Sequence, residues 1–140
     1  MEIKRAAAQI PEVKILGQLS RAKMEDVFRS IDVVICPSVE DPLPIVITEG
    51  WMHSKVCIMS DATGQVDMTE DGINGLICKA GDAQSLADKM TWVLQNQDKL
   101  DEIRKKGRET YERYFSMESF GERLEQALLA AERKFNEKRD

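Results

Sequence analysis

Three carboxylates stand where they could do chemistry around one helix start. Glu40 and Asp41 come just before Pro44, a good first residue for a helix because its missing N–H would go unsatisfied there anyway. The same helix start exposes free backbone N–H groups, so a carboxylate and an anion site would be neighbours. Glu49 follows inside the helix, roughly one and a half turns from Pro44, where it could reach back toward a ligand held at the helix start. On these residues alone a second reading stands beside the first: Glu40 and Asp41 balance the helix dipole and Glu49 is solvated.

Positioning these groups requires a scaffold, and the chain alternates two periodicities. Val13 to Leu16 is expected to be a short strand, and Ser20 to cap a helix whose Met24, Val27, Phe28 and Ile31 form one apolar stripe. Asp32 to Cys36 is a nearly continuous apolar run, as in a parallel strand covered on both faces, and it ends at Pro37-Ser38. The Pro44 helix would run through Ile45 to about His53. Val56 to Met59 and Leu76 to Cys78 supply two further strands, separated by turn-rich Ser60 to Gly64 and by the glycines around Asn74. Asp82 can cap a helix carrying Leu86, Met90, Val93 and Leu94; Asn96 to Asp98 is a break; helices then run from Lys99 to Tyr114 and from Ser116 onward. Strand and helix in alternation imply an α/β, Rossmann-like, doubly wound parallel sheet. Ligands of such sheets bind beyond the carboxyl ends of the strands, which selects the loops Pro37 to Pro44, Ser60 to Gly64 and Gly72 to Gly75.

Composition narrows the function classes. The chain has 140 residues, 42% hydrophobic and 32% charged, enough apolar material for a core. With 20 basic and 25 acidic side chains its net charge is −5, which argues against nucleic acid as a partner. Met1 to Ala8 lacks the apolar core of a signal peptide, and no stretch approaches roughly 18 consecutive apolar residues. A cytoplasmic protein is expected, with at most peripheral membrane contact through Arg104-Lys105-Lys106 and Arg108, a cluster diluted by acidic neighbours. Cys36, Cys57 and Cys78 lie far apart in apolar runs and read as buried core thiols. His53 sits at the far end of its helix, and Trp51 and Met52 read as packing residues.

The stretch Pro37 to Glu49, PSVEDPLPIVITE, resembles the acidic motif of the retaining glycosyltransferases of family 4 (glycosyl transferases group 1), in which seven residues separate two acids. Asp41 and Glu49 have that spacing; Glu40 is one place too early. Ser60-Asp61, Thr63-Gly64, Glu70 to Ile77 and Gly81-Asp82 continue the likeness in order, so that it covers roughly Pro11 to Phe120. The resemblance implies the C-terminal, donor-binding half of a two-domain GT-B enzyme. It would bind a nucleotide-diphospho-sugar and transfer a hexose, with retention, to a glycan or lipid acceptor, without a metal or other cofactor.

By that resemblance Glu49 would hold the ribose hydroxyls and Asp41 would touch hydroxyls of the donor sugar, the pair that carries catalysis. Backbone amides around Leu43, Pro44 and Ile45 would face the sugar or diphosphate, with Glu40, Thr63 and Gly64 completing the donor site. The sequence departs from the family pattern at several points. Asp41 replaces the commoner Glu, Pro44 replaces a glycine, Ser54 and Val56 stand for Gly and Pro, and Thr63 stands for a second glycine. The expected organisation is a nucleotide-sugar domain over residues 1–115, short of the family's first strands, and a helix over 116–140. That helix carries a stripe, Phe120, Leu124, Ala127, Leu128, Ala131 and Phe135, expected to meet the missing N-terminal acceptor-binding domain or a second copy. The chain alone is expected to be inactive. The competing expectation is a non-catalytic nucleotide-sugar-binding partner or sensor.

Overall fold

The computed structural model describes residues 2–137. Residues up to Ser30 form one compact unit and those from Ile31 another.

In the first unit, helix α1 (Glu2–Ala7) is followed by turns and an extended stretch, then helix α2 (Arg21–Ser30). Ser20 starts α2 as expected: its carbonyl accepts from Met24 N at 2.9 Å, and its hydroxyl lies 3.5 Å from Lys23 N. The strand expected at Val13 to Leu16 does not form. Its backbone closes a turn instead, Val13 N donating to Ile10 O at 3.0 Å, and Val13, Ile15 and Leu16 are exposed. A short stretch with three apolar residues in four becomes a strand only where a neighbouring edge receives its N–H and C=O groups, and among the described residues no ladder does so. Gly17, at φ 68°, then turns the chain in a backbone region that suits glycine.

In the second unit three parallel strands lie in the order β1 (Val33–Cys36), β2 (Val56–Ser60), β3 (Leu76–Cys78). Val33 pairs with Val56, and Ile58 with Leu76. Every residue of central β2 is buried, as a continuous apolar run between two neighbours requires. Helix α3 (Ile45–Met52) packs on the face carrying Val34 and Cys57. It comes so close that a Cβ on Gly50 would stand 2.7 Å from the Cys57 Sγ and 3.0 Å from the Val34 side chain. The opposite face, Val56, Ile58, Leu76 and Cys78, is closed by Val93 of helix α4 (Ala83–Gln95) and by Leu100 and Ile103 of helix α5 (Leu100–Tyr114).

Helix α4 begins as its sequence dictates, the Asp82 carboxylate accepting from Gln84 N and Ser85 N at 2.9 and 3.0 Å. Gly107 of α5 faces Trp51 of α3, where a Cβ would lie 2.6 Å from the indole. Helix α6 (Met117–Glu137) completes the unit. Cys36, Cys57 and Cys78 are free and buried, and burial pushes the Cys57 thiol far above its ordinary range. Among the described residues no helix is long and apolar enough to cross a membrane.

Candidate functional site

The loop after β1 and the turn after β2 are laced into one structure. The Ser60 hydroxyl, at the end of β2, donates to the Ser38 carbonyl. Asp41 and Thr63 pair as an isolated parallel bridge, with Asp41 N donating to Ala62 O and Gly64 N donating to Asp41 O, each at 3.2 Å. The two backbones run so close at Gly64 that a Cβ there would stand 1.8 Å from the Pro42 carbonyl oxygen. Only glycine admits this approach. One residue on, the fully buried Gln65 reaches back to α3, its Nε2 donating to the Pro44 carbonyl at 2.8 Å and to Thr48 Oγ1 at 3.3 Å.

Helix α3 opens one residue later than expected. Pro44 is the N-cap, with extended backbone (φ −60°, ψ 111°), and Ile45 is the first helical residue. No side chain caps the helix. Asp41 instead closes its own loop, its carboxylate Oδ1 accepting from Leu43 N at 3.1 Å. This revises the expected donor set in two ways. The Leu43 amide is already engaged and Pro44 has none, while Ile47 N donates to Pro44 O at 3.1 Å. The amides of Ile45 and Val46 are the ones without an acceptor among the described residues. Val46 was not among the expected residues, although counting the orphan donors of a first helical turn points to it.

Glu49 lies four residues after Ile45 and therefore on the same side of the helix, one turn along. Its half-buried carboxylate has no hydrogen-bond partner among the described residues, and neither has that of exposed Glu40. Leu43 and Ile45 present their side chains outward, at 48% and 69% exposure, so what they bring to this site is backbone. Thr63 is buried and its hydroxyl donates to Ser60 O at 3.0 Å, so Thr63 stiffens the turn. The structure thus gathers Asp41, Thr63 and Gly64 at one bridge beside the start of α3. Two free amides and the helix dipole favour an anion there, and the unpaired carboxylate of Glu49 suits neighbouring hydroxyl groups. His53 is the C-cap at the opposite end of α3. Among the described residues no three His, Cys, Asp or Glu side chains are grouped to hold a metal ion.

A second network fixes α3 from behind. Trp51 is fully buried and its indole N–H donates to the Asn74 carbonyl at 2.9 Å. The Asn74 side chain donates to Met68 O and to Thr110 Oγ1 of α5, both at 2.8 Å, and accepts from Glu70 N at 2.8 Å. The sequence marks Asn74 as part of a glycine-flanked turn within the Glu70 to Ile77 segment; its reach to α5 leaves no local signal.

The family model described as "Glycosyl transferases group 1" matches residues 3–110. The lipopolysaccharide core biosynthesis glycosyltransferase LpsE of Rhizobium meliloti is 27% identical over 101 residues, covering 72% of this chain and 30% of that protein. Among solved structures, Anabaena Alr3699/HepE in complex with UDP superposes with a TM-score of 0.82 at 22% identity, covering 92% of this chain and 36% of that one. The same protein in complex with UDP-glucose gives 0.81 at 20% identity with the same coverage. The chain spans about a third of the length of LpsE and of HepE. The likeness in structure establishes the fold: three parallel strands with flanking helices, the Rossmann-like architecture of GT-B glycosyltransferases.

Proposed function

The chain belongs to the glycosyl transferases group 1 family, and from that premise we propose that it is the donor-binding part of a retaining glycosyltransferase. The donor is a nucleotide-diphospho-sugar, and the longer enzyme transfers its hexose to a glycan or lipid acceptor. One observation carries this reading: the two unpartnered amides of Ile45 and Val46 open α3, and the unpaired Glu49 carboxylate stands one turn behind them. The relatives add support, since HepE is described in complex with UDP and UDP-glucose and LpsE as a glycosyltransferase of lipopolysaccharide core biosynthesis.

In this proposal each group has a task suited to its chemistry. The Ile45 and Val46 amides and the dipole of α3 hold the diphosphate. They favour the negative charge that grows on it as the glycosidic bond breaks, because fixed dipoles need no reorganisation when that charge appears. A chain of net charge −5 attracts an anion by such local dipoles rather than by its overall field. Glu49 accepts hydrogen bonds from both ribose hydroxyls, which a carboxylate can do at once. The second carboxylate oxygen of Asp41, beyond the one held by Leu43 N, accepts from hydroxyls of the donor sugar. No metal is required. The apolar stripe of α6 meets the acceptor-binding part of the enzyme, pairing with a second copy being the alternative that the oligomeric state decides.

Glu49→Ala tests the assignment. Removing a charged hydrogen-bond partner is expected to weaken UDP binding, measured by calorimetry, by about 1.5–3 kcal/mol. Unchanged affinity rejects the role given to Glu49.

A further inference from the structure

We propose that Gln65 is a positioning residue for the phosphate-binding amides of α3, an inference that rests on the donor-binding reading above. Gln65 is fully buried in the turn after β2, yet its Nε2 crosses 21 positions of sequence to donate to the Pro44 carbonyl at 2.8 Å. The Pro44 carbonyl and the Ile45 N–H belong to one peptide unit. Because that unit is planar and trans, a group that fixes the oxygen fixes the direction of the N–H on its other side. The same bond polarises the peptide, so the Ile45 N–H becomes a better donor to an anion. The second bond of Nε2, to Thr48 Oγ1 at 3.3 Å, ties the same amide group to the first turn of α3. Gln65 therefore sets the aim of the first free amide from beneath, without touching the ligand.

Two features separate this role from ordinary packing. Pro44 cannot be capped by a side chain of its own, and none is supplied by Asp41, so the entry of α3 is held by Gln65 and by the backbone lacing around it. In addition, the Gln65 Oε1 is buried without a hydrogen-bond partner among the described residues. A hydrocarbon side chain of similar size would fill the space without burying an unpartnered oxygen, so folding alone does not call for an amide here.

The experiment compares Gln65→Leu with the unaltered chain in NMR titrations against UDP and against uridine. Loss of one aimed and polarised donor is expected to raise the UDP dissociation constant about tenfold while leaving that for uridine unchanged. Thr48→Val, which removes only the longer contact, is expected to move UDP affinity in the same direction by about twofold. Equal weakening of UDP and uridine, or no change in either, overturns the proposal, because a merely structural residue would move both or neither. Should Gln65→Leu fail to fold, Thr48→Val carries the test by the same split between the two ligands. If the unaltered chain binds neither UDP nor GDP, the donor-binding reading itself falls and takes this inference with it. If the unaltered chain binds and both variants match it, only the inference falls.

Discussion

Around the start of α3 the loops at Asp41 and Thr63 are joined by backbone bonds, by a glycine-only approach and by the buried Gln65 amide, whereas along α6 every described side chain from Phe120 to Asn136 is exposed. The first region spends its polar groups on one another until two amides and two carboxylates are left over. Those leftovers are what a ligand meets, and they are held still before it arrives, which lowers the ordering cost of binding. The second region presents an apolar stripe, Phe120, Leu124 and Leu128, at 53%, 47% and 62% exposure, with nothing from its own unit laid over it. A helix so disposed gains little stability from its own unit and has its apolar area free for another surface. Leu43 joins Tyr114, Phe115 and Phe120 in lining an apolar groove of about 540 Å³, so the two regions adjoin.

The largest effect is expected where the first region is anchored. Trp51 fills the space between α3 and α5 and donates to Asn74, so Trp51→Ala leaves a cavity and an unpaired carbonyl together. A loss of about 3–5 kcal/mol in unfolding free energy is expected, read from urea denaturation. A loss below about 1 kcal/mol would mean that α3 is held from elsewhere. Next comes Gly64→Ala, whose methyl would collide with the Pro42 carbonyl. Backbone must move to admit it, at a cost of about 2–3 kcal/mol. UDP affinity should fall with it, because the moved loop carries Asp41. Retained affinity at lowered stability would show that the lacing serves the fold and not the site.

Ser54→Gly probes the other end of α3 and has the opposite sign. Ser54 is the described non-glycine residue with positive φ, at 54°, just after the C-cap His53. Its side chain strains a backbone region that glycine occupies freely, so the substitution is expected to stabilise the protein by about 0.5–1 kcal/mol even after glycine's greater unfolded-state entropy is charged against it. Thermal unfolding measures this, and UDP binding should not change, since the strain lies at the end of α3 away from the free amides. The family resemblance anticipated this site by placing Ser54 where glycine is usual, and the positive φ supplies the reason.

The elements that sequence reasoning located are those whose cause is local. Val56 to Met59 is apolar on successive positions because both faces of β2 are covered, whereas β1, expected to be covered likewise, leaves Ile35 exposed; Asp82 caps α4 through amides two and three residues away. Val13 to Leu16 has a similar apolar look and is not a strand, because pairing depends on an edge that local sequence does not reveal. Helix α1 is not among the elements that the sequence leads one to expect. The rule that ligands sit beyond strand ends selects the loops that hold Asp41 and Gly64, Glu49 is marked by its place inside the helix that follows, and the structure brings Asp41 and Gly64 to one bridge. Gln65 and Asn74 were not legible, since their partners lie 21 and 36 positions away and neither follows a helical or strand period. Val46 lay between the two, available to anyone who asks which amides a proline N-cap leaves unmet.

The smallest expected effect on stability sharpens the contrast most. Leu124 and Leu128 are exposed one turn apart on α6, so Leu124→Asp with Leu128→Asp removes apolar area that the second unit does not itself bury. If α6 is a contact surface and not part of the core, the unfolding free energy should change by no more than about 0.5 kcal/mol per substitution. UDP affinity should hold, because in the proposal above the Ile45 amide owes its aim to Gln65, and the loops beside it are laced at Thr63, without help from α6. What should change is association, measured by sedimentation: any self-association of the unaltered chain should be lost in the double variant, since two charges would have to be buried at the centre of the stripe. A large loss of stability with no change in association would instead make α6 a structural part of its unit, and the difference between a held site and an open helix would disappear.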